Sequence, residues 1–488
     1  MSGSSIWDSL LRASLNVACV PKRESDVRKR NVLLVSILSL TQFLIIMNTT
    51  AVNVALFAVS KDFQTPFTQV RWVANAYAIT FAGFLLVGGD LCDKTGAGRS
   101  FLLGAFILAL GLLGSALAGG PKALSASLAV QGAGAAFLTP AIYAAIADAF
   151  PNTISKARAI GIWAALAGTA QAVGPILGGT IVEFYGWRWI FWLELLIVTA
   201  LMSIVVYPAW TAPRKTPIVH RPRLHRVLMR TGLLFVGPTL LVSAVMGYAA
   251  EGSSFWVAIL AAASATSLGI LIFSEWFSRD AFLPPNVAAN RTFIFVNAIG
   301  CCLNFTYYGV SFLLAFHLLA SRNLTAAETG LAFFPLAAMM CLGPAATTKL
   351  ARSHSQRNIM LIGLGIAVAG LGMTIAGIFL IESGVTVMTM LSMSCFGIGL
   401  TAPAMSTMLL IVLPSHRGVV VSCLTMTRQL GCALGVATFG GLLARPPLTP
   451  DDPLVTAAQL ATVAIGVALV AAYFLPLEVR EESTGSEA

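Results

Sequence analysis

Charge is what this chain has least of: only 10% of its 488 residues are Asp, Glu, Lys or Arg, where a water-soluble domain carries about a quarter. Together with a 57% share of hydrophobic residues, that scarcity excludes a soluble globule. Signatures of chemistry are missing as well. The sequence holds no HExxH, no GxSxG and no phosphate-binding GxxxxGK, and no stretch between its apolar runs is long enough for a separate domain. An enzyme and an ATP-driven pump are therefore not expected, and no cofactor is implied. The first thirty residues have no short apolar core of the kind a cleaved signal peptide carries, so the first apolar run is expected to insert uncleaved. Within them Ile6, Trp7, Leu10, Leu11 and Val17 recur at helical spacing, which fits either a short helix on the membrane surface or a basic tail.

What the chain has instead is a succession of apolar runs of about twenty residues, the length that crosses a hydrocarbon core of roughly 30 Å. Breaking the sequence at charged and proline-containing stretches predicts fourteen spans. They lie near 31–53, 70–90, 100–119, 123–146, 159–181, 189–208, 231–249, 254–275, 293–318, 329–348, 358–381, 386–412, 418–442 and 455–476. The fold class is thus an all-α polytopic membrane protein. Cytoplasmic loops retain Lys and Arg. With the amino terminus inside, 23 of the 30 basic residues fall on inner segments, against six outside (Lys61, Arg71, Lys122, Arg188, Arg322, Arg445) and one, Arg428, inside span 13. Both termini are expected in the cytoplasm, and the net charge of +10 is a topology signal that needs no nucleic-acid partner. None of the eight cysteines falls on a predicted outer loop, and none has zinc-site spacing, so all are expected to be small packing residues with no metal bound.

The chain also resembles itself. GGDLCDKTGAGRSFLLG after span 2 and GPAATTKLARSHSQRNIMLIG after span 10 are basic turns at matching places; AQAVGPILGG in span 5 is matched by RQLGCALG in span 13. If spans 9 to 14 repeat spans 1 to 6, the organisation is a basic leader (1–30), a six-helix half (31–208), a basic connector (209–230), an inserted helix pair (231–275), a second six-helix half (293–476) and a tail (477–488).

These segments carry a family resemblance. GDLCDKTGAGR resembles the loop signature of the major facilitator superfamily, and VQGAGAAFLTP is similar to its Gln-Gly-x-Gly segment. GTAQAVGPILGG resembles the antiporter signature, GWRWIFWLELLI the start of helix 6 and TRQLGCALG a recurring helix 13 segment. Five matches in the right order identify the chain as a member of the superfamily's fourteen-helix drug:proton antiporter branch. The resemblance implies a two-half helical bundle in the cell membrane, with lipid and a small-molecule substrate as partners, protons as the coupling ion, and no obligate protein partner.

It also implies roles. Gly174, Pro175, Gly178 and Gly179 mark a bending helix at the interface of the halves. Asp93, with Lys94, Gly96 and Arg99, forms a charged turn that docks near Arg417 at the start of span 13, or else is simply solvated. Ala97 and Gly98 stand there where the family has basic residues, which would weaken such a lock. Arg428, charged within a span, faces a cavity or substrate, or clamps backbone carbonyls. Glu194 stands where the family has Asn and is a second candidate, unless it lies near enough to the outer interface to be hydrated. Conversely, Asn48 stands where the branch has Asp, and Leu128 where it has Arg. Either coupling has moved to Glu194, Asp90 or Asp93, or transport is not strictly proton-driven.

The expected pathway residues are Asn48, Thr49, Asn53, Gln131, Gln171, Glu194, Arg428 and Gln429, with Asn75, Tyr77 and Asn304 as further polar candidates and Tyr307, Tyr308 and Phe312 as rings for stacking. A path with almost no carboxylate and one arginine suits neutral or anionic substrates better than lipophilic cations. The expected function is secondary active export of small organic molecules, an antibiotic or secondary metabolite, giving resistance or self-resistance. A solute importer or facilitator on the same fold is the alternative.

Overall fold

The computed structural model describes residues 24–150, 153–205, 224–251, 255–276, 283, 285–320, 322–380, 384–413, 417–443 and 453–476. Residues 1–23 of the leader, with both alternatives for Ile6 to Val17, most of the 209–230 connector and the tail lie outside the described residues, as do the side chains of Asp93 and Arg417. Among the described residues every regular element is an α-helix, as a bilayer demands: hydrocarbon offers the backbone no partner but itself.

Predicted spans 1 to 8 lie on α1 (Glu24–Asp62), α2 (Phe67–Thr95), α3 (Ala97–Ala116), α4 (Pro121–Ala149), α5 (Thr153–Tyr185), α6 (Arg188–Val205), α7 (Leu224–Glu251) and α8 (Phe255–Trp276). A short α9 (Pro285–Ala288) leads into α10 (Arg291–Ala320), which carries span 9. Spans 11 to 14 lie on α13 (Gln356–Leu380), α14 (Gly384–Val412), α15 (Arg417–Leu442) and α16 (Pro453–Tyr473).

Span 10 differs from expectation, because it is split into α11 (Ala326–Ala332) and α12 (Phe334–Leu350). Pro335 in the first turn of α12 has no N–H to give and restarts the helix there. Span 1 is longer than expected, since Val54, Ala55, Leu56 and Val59 remain buried beyond its predicted end. By length and apolar composition, eleven helices among the described residues are able to cross a membrane.

Helix pairing repeats. α1 packs on α5, α2 on α4, α3 on α4 and α3 on α6; eight spans later α10 packs on α15, α12 on α14, α13 on α14 and α13 on α16. The glycine motifs explain one of these pairs. Gly174 and Gly178 of α5 face Thr50 and Ala51 of α1, and Gly431 and Gly435 of α15 face Cys301 and Phe305 of α10. A side chain at Gly178 would bring its Cβ to 2.8 Å from Ala51 Cα, so these helices meet backbone to backbone as small-residue membrane interfaces do. At the α2–α3 junction Gly96 takes φ of +88° and its N–H bonds Cys92 O at 2.9 Å, a conformation that favours glycine.

The two sets of helices meet along a seam where α2 touches α15, α5 touches α11 and α12, and α1 touches α10. α7 leans on both α2 and α15, and α8 packs on α7 through Ser264 Oγ to Gly237 O (2.8 Å) and the Arg230–Glu275 ion pair (2.6 Å). Phe255, Ile272 and Phe273 of α8 stay exposed, which suits a surface whose solvent is lipid. At the end of the bundle that carries the 62–67 turn, Arg188 ties three helices together. It donates to Asp62 Oδ2 (2.7 Å) and Ala118 O (3.1 Å), and its guanidinium lies 4.2 Å from the Trp187 ring.

The α1–α5 contact makes a graded prediction. Gly178→Val should destabilise the protein by about 1–3 kcal/mol by overpacking, measured as a lower thermal midpoint in detergent. Gly168→Ala, where nothing lies within 4 Å of the added carbon, should be neutral or stabilising.

Candidate substrate and coupling site

Glu194 points from α6 into the interior of the first helix set and is 2% exposed. Its Oε2 accepts from Asn48 Nδ2 of α1 at 2.5 Å, and the same amide nitrogen donates to Gln131 Oε1 of α4 at 3.0 Å. Gln131 Nε2 in turn donates to Ser115 Oγ (2.7 Å) and Gly111 O (3.3 Å) on α3. Four helices are joined by this chain of amides, which ends on a carboxylate whose other oxygen, Oε1, is buried with no partner. Hydration at the outer interface is therefore corrected: α6 turns Glu194 inward, against Asn48. Leu128, at the position where the family has Arg, is buried and supplies no cation.

A second polar group lies across the seam. Arg428 Nε of α15 donates to Asn304 Oδ1 of α10 at 3.2 Å, and Thr427 Oγ1 donates to Asn297 Oδ1 at 2.9 Å. Gln171 Nε2 of α5 donates to the Tyr308 hydroxyl at 3.0 Å, which links the two helix sets directly, and Tyr307 meets Tyr308 edge to face at 5.1 Å. Gln429 is buried on α15. Thr49 is half-buried and donates to Ile45 O at 3.3 Å. Asn53, Thr50, Pro175, Tyr307, Tyr308 and Ser311 line a void of only about 10 Å³, room for a single water.

Around the seam, Gly179 of α5 sits against Ala326, and a Cβ at Gly330 would lie 3.1 Å from Ile176 Cα. Glu183 Oε2 accepts from the Ala326 N–H at 3.0 Å, placing a carboxylate on the first turn of a helix that belongs to the other set. At the opposite end of α2, Lys94 pairs with Asp90 and Arg99 is exposed. The proposed partners of the 93–99 turn, Asp93 and Arg417, lie outside the described side chains.

The sequence reading missed three things. It did not join Glu194 to Asn48, since no spacing links α1 to α6. Glu183 had no motif around it. Arg71, counted among the outer charges at the start of predicted span 2, is buried in α2 and only 2% exposed, which sequence pattern does not show.

Two repeated helix sets joined along a glycine-lined seam, with a buried carboxylate in one and an arginine within a helix of the other, are the architecture expected of a membrane transporter. The sequence profile of the Major Facilitator Superfamily matches residues 38–436, and the chain belongs to that superfamily; it is a transporter and not an enzyme. The chain is 27% identical over 401 residues to the Methylenomycin A resistance protein of Streptomyces coelicolor, covering 81% of this chain and 82% of the relative. It is also 27% identical over 424 residues to the Riboflavin transporter RibZ of Clostridioides difficile, covering 86% and 89%. A solved structure of a POT family transporter in complex with a thioalcohol-conjugated peptide superposes with a TM-score of 0.67 over 89% of this chain and 94% of that one, at 15% identity, which shows the shared fold.

Asn48→Leu tests the amide chain. It removes the donor to both Glu194 and Gln131 and should cost about 1–3 kcal/mol, because buried acceptors are left without partners. A thermal midpoint unchanged from wild type would mean that water already reaches Glu194.

Proposed function

We propose that this protein is a secondary active exporter of small organic molecules in the cell membrane, working by alternating access and coupled to protons through Glu194. The observation that carries the coupling is the contact between Glu194 and Asn48. In the branch that the sequence resembles, the carboxylate stands on helix 1 and the amide on helix 6; here the two residue types are exchanged across one hydrogen bond. A carboxylate buried in a membrane interior with one oxygen unpartnered is a natural proton carrier. Asp90, the other described candidate, is already engaged by Lys94.

The recurring helix pairings support two six-helix halves at 31–208 and 293–476, with 231–275 as an insert. The fourteen spans rest on apolar run length, and the cytoplasmic placement of both termini and of the turn at Asp93, Lys94, Gly96 and Arg99 rests on the basic-residue count. On that orientation, the seam contacts of Gly179, Gly330 and Glu183 close the outer side, and Gly174, Pro175 and Gly178 form the hinge along which the halves rock. Asn48, Thr49, Asn53, Gln131, Gln171, Arg428 and Gln429 line the route. Arg428 and the shortage of carboxylates favour neutral or anionic cargo, and the relative named for methylenomycin A resistance supports an antibiotic or secondary metabolite as its class.

The test is accumulation of neutral, anionic and cationic antibiotics in cells expressing the wild type and Glu194→Gln. The wild type should lower accumulation in a protonophore-sensitive way. Glu194→Gln, which keeps the shape and the bond to Asn48 but has no proton to lose, should abolish that effect, with gradient-driven transport falling about tenfold or more. In proteoliposomes, exchange without a gradient should survive the substitution. Higher accumulation in wild-type cells would establish import instead, and a fully active Glu194→Gln would remove Glu194 from coupling.

A further inference from the structure

Arg71 is a buried cation that neither the fold nor the coupling site accounts for. It sits on the second turn of α2, 2% exposed, and both its Nε and Nη1 are buried with no acceptor. The site is shaped for the side chain: a Cβ at Gly440 of α15 would fall 2.6 Å from Arg71 Cδ and 2.9 Å from Cε1 of Phe312 on α10, so only a glycine leaves the stem room beside that ring. One turn along α2, Asn75 is fully buried, and its Oδ1 likewise has no donor. Arg71 lies where α2 meets α15, the helix that also carries Arg428. On α15, Gly440 and Arg428 are twelve residues apart, about 18 Å of helix.

A desolvated guanidinium with idle donors is costly to hold, and an anion that reached it would offset that cost. On the alternating access proposed above, parting of α2 from α15 would open this end of the seam. We propose that Arg71 is an anion-binding station on the exit side of the path, which takes the acidic group of an organic anion after it leaves Arg428, with Asn75 accepting from a neighbouring hydroxyl or amide. This rests on the export function proposed above for its direction, but not for the existence of the site. The ligand class is an organic carboxylate; the planar fork of arginine matches such a group better than a lysine ammonium does.

The probes are salicylate and its uncharged amide, salicylamide. Uptake of each into inside-out membrane vesicles is compared for wild type, Arg71→Gln and Arg71→Lys, and thermal midpoints of the purified full-length proteins are measured with and without each probe. Arg71→Gln should cut salicylate uptake about tenfold, with salicylamide uptake unchanged and Arg71→Lys intermediate. Salicylate should raise the wild-type midpoint and leave that of Arg71→Gln where it was. Equal loss with both probes, or no loss with salicylate, overturns the proposal. Should wild-type vesicles take up neither probe, export of such compounds fails while an Arg71-dependent midpoint shift still upholds the site; absence of that shift as well overturns it.

Discussion

Glu194 gives up water for one short hydrogen bond from Asn48, and much of the first helix set is arranged around that exchange. A carboxylate in hydrocarbon is tolerated only where protein dipoles replace solvent. Here they do so through a relay of side-chain amides, Asn48 to Gln131 to Ser115, which binds α1, α3, α4 and α6 to one another. Helix association in a bilayer has no hydrophobic drive of its own, so such polar contacts and close glycine packing decide which helices pair. No cation stands beside Glu194 in this network, because Leu128 fills the place where the family has Arg. Protonation therefore decides whether the half carries a buried negative charge or none.

Charge of the opposite sign stands on and beside α15. Arg428 and Arg71 are both placed where α15 faces its neighbours, the first held by Asn304 and the second beside Gly440 and Phe312. At the seam, Asn53, Tyr307 and Tyr308 line a void with room for a single water, and Gln171 of α5 donates to the Tyr308 hydroxyl. Rocking of the halves, with α5 gliding on α11 and α12 over glycine, is the motion that would open that void.

Much of this was legible in the sequence, for a physical reason. Spans are written in run length, and repeats in the spacing of their glycines, so the helices and the Gly174/Gly178 and Gly431/Gly435 matches could be read directly. Contacts between distant helices could not. Glu194 and Asn48 are 146 residues apart, and periodicity says nothing about which face of α6 meets which face of α1. Family comparison marked each as unusual; only the structure made the two anomalies one exchange. The same limit hid the burial of Arg71, since a charge near a helix start reads as solvated until packing buries it, and it hid the break at Phe333, where Pro335 interrupts an apolar run without a polar residue to mark it.

The central claim is that coupling follows a single carboxylate at the α1–α6 contact, whichever helix supplies it. Substrate accumulation driven by an imposed pH gradient, in proteoliposomes holding Glu194→Asn or the exchanged pair Asn48→Asp with Glu194→Asn, tests it most directly. The account predicts that the single variant is inactive and that the exchanged pair recovers gradient-driven transport. Activity in the single variant, or an exchanged pair as inactive as the single one while both remain folded, would contradict it.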